Sequence, residues 1–253
     1  MSDQLPIKEI FLRGIEMPFK RHKELIRLGW PYAFLVLGSS FILEDINGIF
    51  LNITYIALLC FTGVLGIVGW HRTFLLPTKA VTETATVRWD HRETKFLLCF
   101  LSIGIISSIV LLIPFLIITL NLNFFVHKDN SVVTYLTVQA LLMVPAYYLV
   151  SRLSLILPDS AVDNDHPLSW AWNISADHHF RLFILVGAIP WLTSLIFELL
   201  IAFVEPSYIL NLLQNSVFLV VFVIEVCLLS LAYEWIVSRQ QPVTDDEQTP
   251  SDL

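Results

Sequence analysis

Cysteine is nearly missing from this chain: Cys60, Cys99 and Cys227 are all there is, each set in an apolar run and none spaced as CxxC. That pattern argues against both a disulfide framework and a zinc knuckle, so the three read as small packing residues. Also absent are HExxH, GxSxG, the phosphate-cradling GxxxxGK and GxGxxG, and no cofactor is expected. Charge is scarce as well, at 15% of residues. What fills the space is apolar: 56% of the chain is hydrophobic and the mean hydropathy is +0.71, beyond the range of a soluble domain. The formal net charge of -7 is uninformative about partners, because Asp245, Asp246, Glu247 and Asp252 cluster in the tail.

Of the 15 lysines and arginines, all but Lys128 fall on one side of six apolar segments. Short loops rich in Lys and Arg are retained in the cytoplasm during insertion, so the pattern predicts an even number of spans with both termini inside. A span needs roughly 20 apolar residues to cross about 30 Å of hydrocarbon. The six fall near Leu28 to Leu43, Gly48 to Trp70, Phe96 to Leu120, Val132 to Leu149, Leu182 to Val204 and Leu212 to Val237. The outer connections, around Glu44 and Asp45, Asn121 to Ser131 and Glu205 to Asn211, are shorter than the two inner loops, His71 to Lys95 and Arg152 to Arg181. The expected fold is an all-α transmembrane bundle of six helices built from three hairpins, with short interfacial helices on the cytoplasmic side. Residues 1–27 form an amphipathic interfacial segment, 28–238 the membrane domain and 239–253 an acidic tail. With almost no apolar residues to bury, that tail is expected to be mobile.

Ile7 to Arg27 mixes Ile10, Phe11, Ile15, Phe19 and Leu25 with basic groups, which suits a helix in the headgroup layer, bent at Pro18. Trp30, Trp70, Trp89, Trp170, Trp172 and Trp235 fall at or beyond inner span ends, where an indole keeps its ring in acyl chains and its N–H in water; only Trp191 sits within a span. Pro167 after Asp165 and His166 predicts a short helix over Leu168 to Ile174. The two inner loops also match each other. Pro77, Ala80, Val81 and Trp89 keep the spacing of Pro158, Ala161, Val162 and Trp170, and Arg72, Arg152 and Arg239 close the even spans. Three repeated units of roughly 80 residues explain the match; the positive-inside rule alone supplies the arginines but not the proline and tryptophan.

Glu198 and Glu225 are ionisable residues within spans, and such groups are functional candidates because charge in hydrocarbon is costly. At 1.5 Å per residue their depths differ by roughly 14 Å, so they are not a direct pair. A neutral carboxyl bonded to a neighbouring helix is the plainer alternative to proton or cation handling. His166, His178 and His179 share a loop with Asp163, Asp165 and Asp177, residue types that suit a divalent metal in a spacing that matches no ligand pattern, so no metal site is expected. Gly63, Gly66 and Gly69 recur on one helix face, which favours close helix packing. Pro114, Pro145 and Pro190 interrupt spans, a feature tolerated widely in membrane bundles.

The stretch Arg152-Leu-Ser-Leu-Ile-Leu-Pro158-Asp-Ser-Ala161-Val162, followed by Leu168-Ser169-Trp170-Ala171-Trp172, resembles a pattern in small bacterial inner-membrane proteins of unknown function. Those proteins are related to the membrane region of some glycerophosphodiesterases. The resemblance covers the fourth span, its loop and part of the fifth span, and it implies a bacterial inner-membrane location. It carries over no catalytic residue, since the phosphodiesterase chemistry belongs to a separate soluble domain. The expected role is a non-catalytic accessory or scaffold that contacts membrane lipids, a membrane-protein partner or a second copy of the chain, and no nucleic acid. Its contact surface is expected at Arg72, Pro77, Trp89, Arg152, Pro158, Trp170 and Trp172. A small transporter or channel using Glu198 and Glu225 is the second expectation, and a membrane-embedded metal-dependent enzyme the third.

Overall fold

The computed structural model describes residues 4–42, 49–82, 87–120, 132–201, 204–205 and 207–240. The outer connections at Glu44 to Asp45 and Asn121 to Ser131, with Lys128, and the tail beyond Gln240 lie outside them. The described residues hold helices and no strand. In chain order these are α1 (Ile7–Lys20), α2 (His22–Ile42), α3 (Ile49–Leu75), α4 (Thr78–Thr82), α5 (His91–Leu120), α6 (Val132–Leu153), α7 (Ile156–Ala161), α8 (Leu168–Ile174), a 3-10 turn Ala176–His178, α9 (His179–Leu182), a π-helical stretch Phe183–Ala188, α10 (Ile189–Ile201) and α11 (Tyr208–Gln240). Four stretches are long and apolar enough to cross a membrane: Phe50–Leu75, His91–Leu116, Ala176–Ile201 and Tyr208–Gln240. Beside them run α2, of 21 residues, and α6, of 22.

Small residues decide how close the helices come. α2 packs along α3, and a Cβ on Gly63 would stand 3.3 Å from the Tyr32 ring while one on Gly69 would stand 3.0 Å from Leu28. The glycine face expected from the sequence is therefore the face that receives α2. Gly29 answers from the other side, since a Cβ there would fall 2.4 Å from the Trp70 indole. That indole is held in place, its Nε1 donating to the Leu25 carbonyl at 3.0 Å. α5 packs along α6.

The helix α1 is amphipathic, but its inner face meets protein. Ile10, Gly14 and Pro18, spaced by four, are buried against α11, where a Cβ on Gly14 would come within 2.3 Å of Leu228. Leu12, Ile15 and Phe19 remain exposed. α1 runs through Pro18, the site of the expected bend, and ends instead at Lys20, where the Arg21 N–H bonds the Met17 carbonyl at 3.0 Å. α11 in turn is buried at every position from Val226 to Tyr233, so neighbours surround it at that level. Away from this end large apolar side chains face outward, among them Phe34, Phe50, Ile105 and Ile209. Those outward apolar side chains suit the four helices long and apolar enough to cross a membrane.

Candidate functional site

Helix C-termini leave carbonyls without partners, and cations are favoured beside them. At the basic end of this chain the arginines fill that role across elements. Arg21 donates to the Thr73 carbonyl and, at 3.2 Å, to that of Leu76, closing α3. Arg27 Nη2 reaches the Val81 carbonyl at 2.6 Å at the end of α4, and Arg72 Nη1 reaches the Ala161 carbonyl at 3.1 Å at the end of α7. Arg152 closes α8: its Nη2 donates to the Trp172 carbonyl at 2.6 Å, its Nε to Ser175 Oγ at 2.9 Å, and its guanidinium lies 3.5 Å from the Trp172 ring centroid. Arg181 Nη1 holds the Leu5 carbonyl at 2.7 Å. These bonds tie the N-terminal segment and both inner loops together.

Around the arginines the loops are tied by acids. The Asp90 backbone N–H donates to Glu93 Oε2 at 2.8 Å, a capping-box bond that starts α5. Asp163 takes a positive φ of 67°, tolerated by aspartate, and its carboxylate sits between Arg72 at 2.8 Å and Arg92 at 3.2 Å. Lys95 donates to the Asn164 carbonyl at 2.6 Å and pairs with Asp165, whose carboxyl it holds below the usual range through that bond and its charge.

The node of the site is Asp159, which is 0% exposed. Its Oδ1 accepts from the Tyr233 hydroxyl at 2.9 Å, His166 Nδ1 at 3.0 Å and Asn164 Nδ2 at 3.2 Å. Asn164 Nδ2 also donates to the Tyr233 oxygen at 3.0 Å. His166 therefore carries its proton on Nδ1, and its ring stacks on Trp170 with centroids 4.3 Å apart. Asp159 Oδ2 is buried without a partner among the described residues. Four donors and rings from three parts of the chain converge on a short helix, α7, in which every residue is buried. Nearby, buried His71 shares a 2.8 Å hydrogen bond with Ser230 Oγ and packs against Phe96.

The residues singled out in the sequence divide between this interior and the surface. Arg72 and Arg152 turn inward, and Pro158 is buried in α7, whereas Pro77 is exposed ahead of α4. The matched loops still share a bond, Val81 N to Pro77 O at 3.3 Å and Val162 N to Pro158 O at 3.2 Å. Trp89 stacks on Phe61 and donates to Thr94, Trp170 belongs to the Asp159 node, and Trp172 lies at the surface under its arginine. His166, His178 and His179 serve separate contacts, on Asp159, Trp235 and Tyr148 respectively. Among the described residues no three histidine, cysteine or acidic side chains gather as metal ligands. Glu198 lines a crevice of about 80 Å³ between α10 and α11 with Thr193, Ser194 and Gln214. Glu225 is half-buried on α11, and both carboxylates lie in electrostatic range of the Tyr147 hydroxyl on α6. No family model, curated protein or solved structure matches this chain.

Proposed function

We propose that this chain is a six-span bacterial inner-membrane protein of three helical hairpins, with both termini cytoplasmic, acting as a non-catalytic scaffold or accessory component. Four apolar helices fit the membrane, and α2 and α6, at roughly 1.5 Å per residue, have the length to cross it beside them. The observation that carries the role is the set of arginine bonds at the basic end. Arg21, Arg27, Arg72 and Arg152 each close a helix other than their own, and hydrogen bonds from charged groups contribute roughly 1.5–3 kcal/mol each. Ties of that kind restrain the relative motion of spans that alternating access demands. They hold a stable floor for the apolar outer surfaces, which face lipid and a membrane-protein partner or second copy.

Two measurements test the reading. Cysteine probes in intact cells should be labelled from outside at Asn130 and not at Thr84 or Gln248; the reverse pattern overturns the orientation. Mild purification followed by mass spectrometry should recover a membrane-protein partner in fixed stoichiometry. A chain recovered alone that moves a solute in proteoliposomes would overturn the scaffold in favour of the transporter built on Glu198 and Glu225.

A further inference from the structure

Where the first turn of α1 passes the start of the fifth apolar stretch, the two leave a groove of about 1030 Å³. It is built rather than incidental, because Arg181 clamps the Leu5 carbonyl and the Gln4 side chain across its floor. Its lining sorts by chemistry. Lys8 and Arg181 bring positive charge, Glu9 and Asp177 bring negative charge, and Leu12, Phe180 and Ile184 form an apolar wall. Lys8 enters no ion pair among the described residues, so its ammonium is uncommitted. His178 lines the same groove, and its Nδ1 is buried without a hydrogen-bond partner among the described residues.

Depth narrows the occupant. Ala176–Ile201 is one of the four stretches fit to cross a membrane, so the groove lies at its basic terminus, where hydrocarbon gives way to headgroups. Leu12 and Phe180 are 56% and 62% exposed there, an apolar rim suited to acyl chains. We propose that the groove binds one phospholipid whose headgroup carries both a phosphate and an amine. The site rests on the reading that the basic end meets the headgroup layer. The phosphate lies between Lys8 and Arg181, the amine reaches Glu9 and Asp177, and the chains run along Leu12, Phe180 and Ile184. A headgroup with the phosphate alone would leave the two acids without a cationic partner, so the paired signs select the zwitterion.

The test is native mass spectrometry of the purified full chain with phosphatidylethanolamine and phosphatidylglycerol of identical acyl chains in equal amounts. The parent should retain one phosphatidylethanolamine in preference. A basic side chain near the lipid surface contributes about 1 kcal/mol, so Lys8→Gln should lower retention about fivefold and Lys8→Arg should preserve it. Glu9→Gln combined with Asp177→Asn should retain both lipids equally. Lys8 and Glu9 are exposed, and an unchanged thermal midpoint verifies that each variant folds. Equal retention of the two lipids by the parent, or undiminished retention by Lys8→Gln, overturns the site. The cysteine labelling separates the failures: probes at Asn130 and Thr84 labelled from the same side remove the span between them and with it the headgroup placement, whereas labelling from opposite sides with no selective retention removes only the lipid site.

Discussion

Replacing Asp159 should unpin the basic end, and the hydrogen-bond geometry sets the scale. Asp159→Ala removes the acceptor of three donors at once. Each buried donor left unsatisfied costs roughly 1–3 kcal/mol. The Tyr233 hydroxyl takes the full penalty, because that side chain is only 5% exposed, while His166 and Asn164 sit at the surface and turn to water. The net loss is roughly 2–4 kcal/mol. Asp159→Asn keeps an acceptor at Oδ1 but puts an amide where Oδ2 already lacks a partner, for roughly 1–3 kcal/mol. Tyr233→Phe costs least, about 1 kcal/mol, because Oδ1 retains two donors. Thermal unfolding in detergent resolves the order, at about 2–4 °C per kcal/mol for a chain of this size. Removing both partners of a buried pair is far milder than removing one, so Asp159→Ala with Tyr233→Phe should fall short of the sum of the singles by about 1 kcal/mol. Strict additivity, or an Asp159→Ala midpoint equal to the parent's, would refute the node.

Arg152→Lys should cost roughly 1–3 kcal/mol of stability and lower the midpoint accordingly, because a lysine cannot hold Ser175 and Trp172 in one fork while lying on the indole; an unchanged midpoint argues against the helix-closing role. Gly29→Ala should cost roughly 1–3 kcal/mol, since its Cβ would meet the Trp70 ring at 2.4 Å, whereas Gly63→Ala, with 3.3 Å to Tyr32, should cost less in the same thermal assay. Glu225→Gln should express and unfold as the parent does and retain partner recovery across pH; a normally folded variant that has lost a transport activity would favour the transporter.

Much of this architecture is legible in the chain because it depends on local pattern. The glycines of α3 mark their packed face by recurring every third residue, and Pro167 announces the start of α8. Charge is legible in number but not in direction. Arg72 and Arg152 look like surface groups in a basic loop, yet their targets are carbonyls 89 and 20 residues away, and no backbone carbonyl has a sequence signature. Asp159 escapes for the same reason, since Tyr233 is 74 residues distant. A faint signal exists: the acid stands between Ile156-Leu157-Pro158 and Ala161-Val162, apolar on both sides, where a carboxylate is tolerated only with donors brought to it. Tyr147 is silent until folding sets it near two carboxylates belonging to other helices.

The π-helical stretch Phe183–Ala188 ends with the Ile189 N–H bonded back five residues to the Ile184 carbonyl, just before Pro190. A wide turn of this type is what an α-helix makes of one surplus residue, bulging it outward while the flanking turns keep their faces. This span therefore stores a spare position. Deleting a residue elsewhere in a helix swings everything beyond it by about 100°, but a deletion inside this stretch would relax the bulge and leave Glu198 pointing where it already points. Here the chain can change length by one without changing which side of the span meets lipid. Gly187, with the Tyr147 carbonyl 3.2 Å from where its Cβ would lie, is the position such a shortening must spare.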